Sequence, residues 1–230
     1  MTYSLEARPP LAVASTRRGW LSVTGWAGIA GPALFTAVFL GLEAVLGDRY
    51  DRVSEVVSAL EAGPSGWVQQ VNFAVFGLLT IAFAVGLHRG IAPSRAAIVG
   101  PALMFISGIA LVLAGAFPFR EDPTGAAVES VGHAVAGIMF FSSSAVALIL
   151  LSRRMAHDSQ WRGLSAYTLV AGVIAVAGFV AFGRLVIPDD APWHAYAGLA
   201  QRGLIVLVLF PCRTILGWRL LRVARAVRRG

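Results

Sequence analysis

Six long apolar runs separated by short polar connections set the pattern of the chain: Trp20–Leu46, Trp67–Leu87, Ala96–Phe117, Val131–Leu151, Leu164–Val186 and Tyr196–Trp218. A helix that crosses a bilayer needs about 20 mostly apolar residues. Each run has that length, and the first is long enough to cross with tilt. No connection exceeds about 20 residues, too few for a separate soluble domain. The pattern predicts an all-α polytopic membrane bundle of six transmembrane helices in one domain, residues 20–218. A tail of residues 1–19 precedes it and a basic tail, 219–230, follows.

Composition names the solvent. Of the 230 residues, 57% are hydrophobic and 13% charged, with a mean hydropathy of +0.73. A soluble domain carries about 25% charged residues, so the deficit points to lipid. The string TRRGWLSVTG (16–25) is similar to a twin-arginine export signal. The apolar run behind it is longer than a signal core and has no A-x-A site, which makes it the flank of the first span. The single Cys212 excludes an internal disulfide and a cysteine-rich metal site.

All 19 basic residues are arginine, and their placement sets the orientation. The N-terminal tail, the connections at 88–95 and 152–163, and the C-terminal end from Arg213 onward hold fourteen of them. The opposite side holds Arg49, Arg52, Arg120, Arg184 and Arg202 together with most of the acids. Both termini are therefore expected to be cytoplasmic in a plasma-membrane protein. A net charge of +7 in a soluble protein would suggest nucleic acid. Here the C-terminal WRLLRVARAVRRG interleaves arginine with apolar residues, which suits anionic headgroups and makes membrane lipids the expected partner. Trp20, Trp67, Trp161, Trp193 and Trp218 fall near span ends, where an amphipathic ring prefers to sit.

The connections on the arginine-poor side carry the candidate chemistry. Between residues 51 and 61, Val53, Val56, Val57 and Leu60 recur at the helical period, with Asp51, Ser54, Glu55, Ser58 and Glu61 on the other side and Gly63-Pro64 as a stop. That spacing predicts a short amphipathic helix lying in the interface. In the second connection Pro118 ends the third span, Pro123-Thr-Gly125 makes a turn beside Asp122, and Ser130 and His133 open the fourth span with small neighbours that let another helix approach. The third connection supplies Arg184, Asp189, Asp190 and His194. Arg202 then stands more than a turn inside the last span, and a charge there costs at least ~2.5–3.5 kcal/mol near the bilayer centre. It calls for an acid, with Asp122, Glu129, Asp189, Asp190 and Glu43 within reach.

Asp51, Ser58, Asp122, His133, Arg184, His194 and Arg202, with Glu43, thus belong to one leaflet. Polar residues at membrane depth mark a candidate site. His133, His194 and Arg202 are expected to converge there, whereas His88 and His157 fall in the opposite connections and are expected to be solvated.

The order of these features resembles the domain-of-unknown-function family 998. It is carried by six spans, Gly31-Pro32 in the first, Ser58-Ala-Leu after it, Phe117-Pro118 after the third, His133 opening the fourth and Gln201-Arg202 early in the last. The resemblance runs from about Gly19 to Trp218 and implies a fold and a membrane address. Four functions are open on the residues themselves. One is a noncatalytic protein holding a lipid or small hydrophobic ligand. A second is a metal-dependent hydrolase of lipids, with zinc on His133, His194 and Asp122 and an open position for water. The polar set is also similar to the intramembrane ceramidase-type superfamily, whose pattern needs a third histidine that this side lacks. A third is haem ligation by the two histidines, and a fourth is proton-coupled transport through His133.

Overall fold

The computed structural model describes residues 11–93 and 98–226. The expected positions of Arg8, Arg95, Arg228 and Arg229 lie outside them. Six helices are long and apolar enough to cross a membrane. Five are single α-helices: α1 (Leu11–Leu46), α2 (Gly66–Gly90), α3 (Val99–Ala116), α4 (Val131–Ala156) and α5 (Ser165–Leu185). The sixth span joins α6 (Ala197–Arg202), a π-helical segment (Gly203–Leu209) and α7 (Phe210–Ala226). The widened turn precedes Pro211, whose missing N–H and bulky ring cannot continue a regular helix. Each span packs on its sequence neighbours, and α7 closes back on α1. Where α2 crosses α3, a Cβ on Gly77 would stand 2.6 Å from the carbonyl of Gly108, so only glycine permits that approach.

At the end nearer the chain termini the bundle is cross-tied. The buried Arg154 of α4 donates to the carbonyls of His88, Ile91 and Ala92, which places a cation on the C-terminus of α2. Asp158 accepts from Ala92 N–H at 2.8 Å, and the indole of Trp161 donates to Gly90 O at 2.9 Å. Trp161 is therefore buried rather than interfacial, while Trp20, Trp67, Trp193 and Trp218 are exposed. His88 and His157 are exposed.

Arg213 corrects the sequence reading. The orientation count groups it with the cytoplasmic C-terminal arginines, but it is 2% exposed inside the bundle. The reason is that the last helix continues to Ala226, which leaves Arg213 about 20 Å from that helix end at 1.5 Å per residue. Its guanidinium donates to Thr80 Oγ1, Ser107 Oγ and Ser144 Oγ at 2.8, 3.3 and 3.1 Å and lies over the rings of Phe76 and Phe140. The hydroxyls of Thr80 and Ser107 donate to carbonyls of their own helices and so present lone pairs to it. No carboxylate among the described residues lies within ion-pair distance.

The opposite end carries a two-stranded hairpin, β1 (Arg120–Glu121) and β2 (Ala127–Val128), paired Arg120 to Val128. The first connection lies over this hairpin end, and here too the expectation changes. Residues 51–61 do not form an amphipathic α-helix. They make an irregular turn and then a 3₁₀-helix, Val57–Glu61, in which all five residues are buried. Long-range bonds override the local period. Val57 N–H donates to Gln201 Oε1 at 2.7 Å, Leu199 N–H donates to Val53 O at 3.1 Å, and the Tyr50 hydroxyl donates to the carbonyls of Glu55 and Val56. The segment is a lid sewn to the start of the sixth span.

A candidate lipid-binding cavity

Under that lid, a cavity of about 350 Å³ opens within the hairpin half of the bundle. Nine of the chain's 13 phenylalanines line it, so its walls suit only an apolar occupant. Its polar groups are few: Ser58, Glu129, His133 and Gln201. The α4–α5 seam explains its mouth. Toward the terminal end these helices touch closely, and a Cβ on Gly172 would stand 2.9 Å from Ile149 N. Toward the hairpin they part. Gly137 and Gly183 line the cavity with open space where a side chain would be, flanked by Ile138 and Ile187, which are at least half exposed.

His133 is held by three elements. Ser130 caps α4, accepting from His133 N–H and donating to Phe117 O at 2.8 Å, which ties the first turn of α4 to the end of α3. Ala114 O would ordinarily accept from the residue four positions on. That residue is Pro118, which has no N–H, and His133 Nδ1 lies 3.2 Å from the freed carbonyl. The same Nδ1 is 3.0 Å from Glu61 Oε2, and the imidazole is flanked edge-on by Phe73 and Phe119. Two acceptors around Nδ1 assign the proton to that nitrogen and leave Nε2 as the available base. Glu61 Oε2 also accepts from Phe119 N–H, while its Oε1 is buried without a partner among the described residues.

Arg202 builds the second cluster. Its Nη2 donates to Glu43 Oε1 and to the Tyr50 hydroxyl, both at 2.6 Å, and its Nη1 donates to the carbonyls of Glu55 and Gly198 at 2.9 Å. Burial pushes the Tyr50 phenol up to about 12, against the pull of Arg202, so it stays protonated and keeps donating to the lid. The clamp seats Gln201 beside the lid. Because Oε1 of Gln201 takes the Val57 N–H, its amide N–H groups remain as donors at the cavity.

The remaining sequence candidates fall elsewhere. Asp122 is partly exposed and closes its own hairpin turn, accepting from Thr124 and Ala126; the Thr124 hydroxyl holds its carboxyl below the usual range. Asp51 is exposed in a turn with Val53 and Ser54, whose bonds lower it likewise, Val53 foremost. Arg184 is exposed, and His194 is exposed with its ring on Val186 O at 3.1 Å. The zinc triad of His133, His194 and Asp122 is therefore not assembled, since each is committed to a different local partner. Among the described residues no three His, Cys, Asp or Glu side chains are placed to hold a metal ion. A haem pair of His133 and His194 fails for the same reason, one ring being buried against Glu61 and the other exposed at Val186. Two participants were missed. Glu61 falls on the polar side of a predicted helix that does not form, and phenylalanines gathered from five spans and the connection after α3 leave no local signature. The proline after Ala114 was the one available pointer to the histidine's seat.

The match to the family model for "Protein of unknown function (DUF998)" spans residues 11–218, nearly all of the bundle just described. The chain belongs to the DUF998 family. Membership agrees with the six spans and brings no activity with it. No match is found among curated proteins or among solved structures.

Proposed function

We propose that this integral membrane protein holds a single-chain amphiphile drawn from the outer leaflet, its tail among the phenylalanines and its head at Ser58, His133, Glu129 and Gln201. The observation that carries this reading is the cavity itself, aromatic along its length, polar at one tip and open sideways between α4 and α5 toward the hydrocarbon. A volume of about 350 Å³ suits one chain better than a two-chain phospholipid, at the lower end of the range for small-ligand sites. The arginine bias supports a hairpin end that faces outward: with Arg213 withdrawn into the bundle, the terminal side still holds thirteen against five.

Native mass spectrometry of the protein extracted in mild detergent tests the proposal. One adduct of single-chain mass is expected, displaced by an added fluorescent long-chain acyl probe with saturable quenching. Bare protein that also gives no saturable probe signal overturns it.

A further inference from the structure

The groups at the polar tip have an order that simple binding does not require. Glu61 Oε2 holds Nδ1 of His133 at 3.0 Å, and Nε2 makes no hydrogen bond to a described residue while the ring lines the cavity. Ser58 lines the same cavity, and its hydroxyl makes no hydrogen bond to a described residue. Ser58 stands three residues before Glu61 in the 3₁₀-helix Val57–Glu61. Side chains three apart eclipse in a 3₁₀-helix, so the hydroxyl lies on the side of the carboxylate that holds the imidazole. Gln201, bonded to the residue just before Ser58, brings amide donors to the same place. Hydroxyl, imidazole, buried carboxylate and a fixed donor are the parts of a nucleophilic acyl-transfer site, recognised by role rather than by chain order.

Resting on the cavity reading above, we infer that Ser58, His133 and Glu61 form a metal-free acyl-transfer site that cleaves an ester of a single-chain lipid. Ser58 Oγ forms a bond to the acyl carbon as its proton passes to His133 Nε2, and Gln201 N–H donates to the oxyanion. The ester C–O bond then breaks, the electron pair leaves with the alcohol oxygen, and that oxygen takes the proton from Nε2. Water enters by the reverse order. It loses a proton to Nε2, forms the new C–O bond, and Ser58 leaves with its electron pair and recovers the proton. One ester and one water give one fatty acid and one alcohol. Glu61 is a positioning residue: it keeps the Nδ1 tautomer and never meets the lipid. Ser58 and His133 are not hydrogen-bonded to each other in this state, and closing that gap falls to the bound ester, since such contacts commonly tighten only with substrate.

The test is covalent capture. Full-length protein in detergent is treated with a fluorophosphonate carrying a long alkyl chain, and the adduct is mapped by peptide mass spectrometry. The expected adduct is on Ser58, absent in Ser58→Ala. Labelling is expected to slow by about 100-fold or more in His133→Gln, the scale of a lost general base. Glu61→Gln lowers the labelling rate with unchanged affinity for the fluorescent acyl probe, and Glu61→Asp recovers part of it. An unlabelled Ser58 in protein that still binds the acyl probe overturns the inference and leaves the cavity reading standing. A Ser58 adduct indifferent to His133→Gln overturns it as well. Loss of probe binding in the unmodified chain overturns both.

Discussion

Arg202 and Arg213 show at single-residue scale how one side chain type takes opposite roles in the same bundle. Arg202 has a full counter-charge in Glu43, and removing one partner of such a pair strands the other. Glu43→Gln is expected to destabilise by on the order of 3 kcal/mol, read as a lowered melting temperature in detergent. Arg213 has neutral hydroxyls and ring faces instead. Arg213→Met keeps the volume and removes a buried charge, and Thr80 and Ser107 retain their bonds to their own helices. That variant is expected to melt at or above the unmodified temperature, whereas Arg213→Ala leaves a cavity and melts lower by the equivalent of about 3 kcal/mol. Glu129, exposed at the cavity rim, has its carboxyl raised above the usual range by partial desolvation, with His133 pulling the other way. A raised acid favours the folded state while protonated and loses that contribution as pH rises through its folded value. Glu129→Gln is therefore expected to raise the melting temperature at pH 8 and to lose that advantage as the scan is taken down to pH 4.

The lid and the α4–α5 seam set behaviour at the scale of elements. The lid is bonded to the sixth span through Gln201, Leu199 and Arg202, and these bonds, not its own periodicity, decide its shape. The seam is closed by Gly172 at one end and open at Gly137 and Gly183 at the other. Gly183→Trp would fill open space at the mouth. It is expected to reduce acyl-probe binding at least tenfold while leaving the melting temperature near that of the unmodified chain, as measured by quenching and by thermal denaturation. The hairpin is peripheral by contrast. Asp122→Asn should leave probe affinity unchanged, because its carboxylate serves only its own turn.

For the whole molecule, six spans and their order were legible because a hydrocarbon solvent forces long apolar helices, a constraint written locally along the chain. Arg202's need for an acid was legible for the same reason, as an isolated charge inside an apolar run. What escaped depends on contacts distant in sequence. Glu61 and His133 are 72 positions apart, and Val57 meets Gln201 across 144. Periodicity then misassigned the lid, since an i, i+3, i+4 pattern reports a helix only where nothing stronger holds the backbone. Arg213 was misplaced because a count of arginines groups it with the C-terminal end, although it falls inside the apolar run Tyr196–Trp218. The zinc triad failed because shared depth in a leaflet is not proximity.

The sideways mouth between α4 and α5 has a consequence for traffic. Beneath the cavity the floor is Phe76 and Phe140, and below them a guanidinium collared by three hydroxyls. A molecule that slips in between α4 and α5 therefore meets aromatic rings backed by a buried cation on the way toward the terminal end. On the proposed reading, a lipid taken up there would leave again into the leaflet it came from, so the cavity would serve as a workbench set into one face of the membrane.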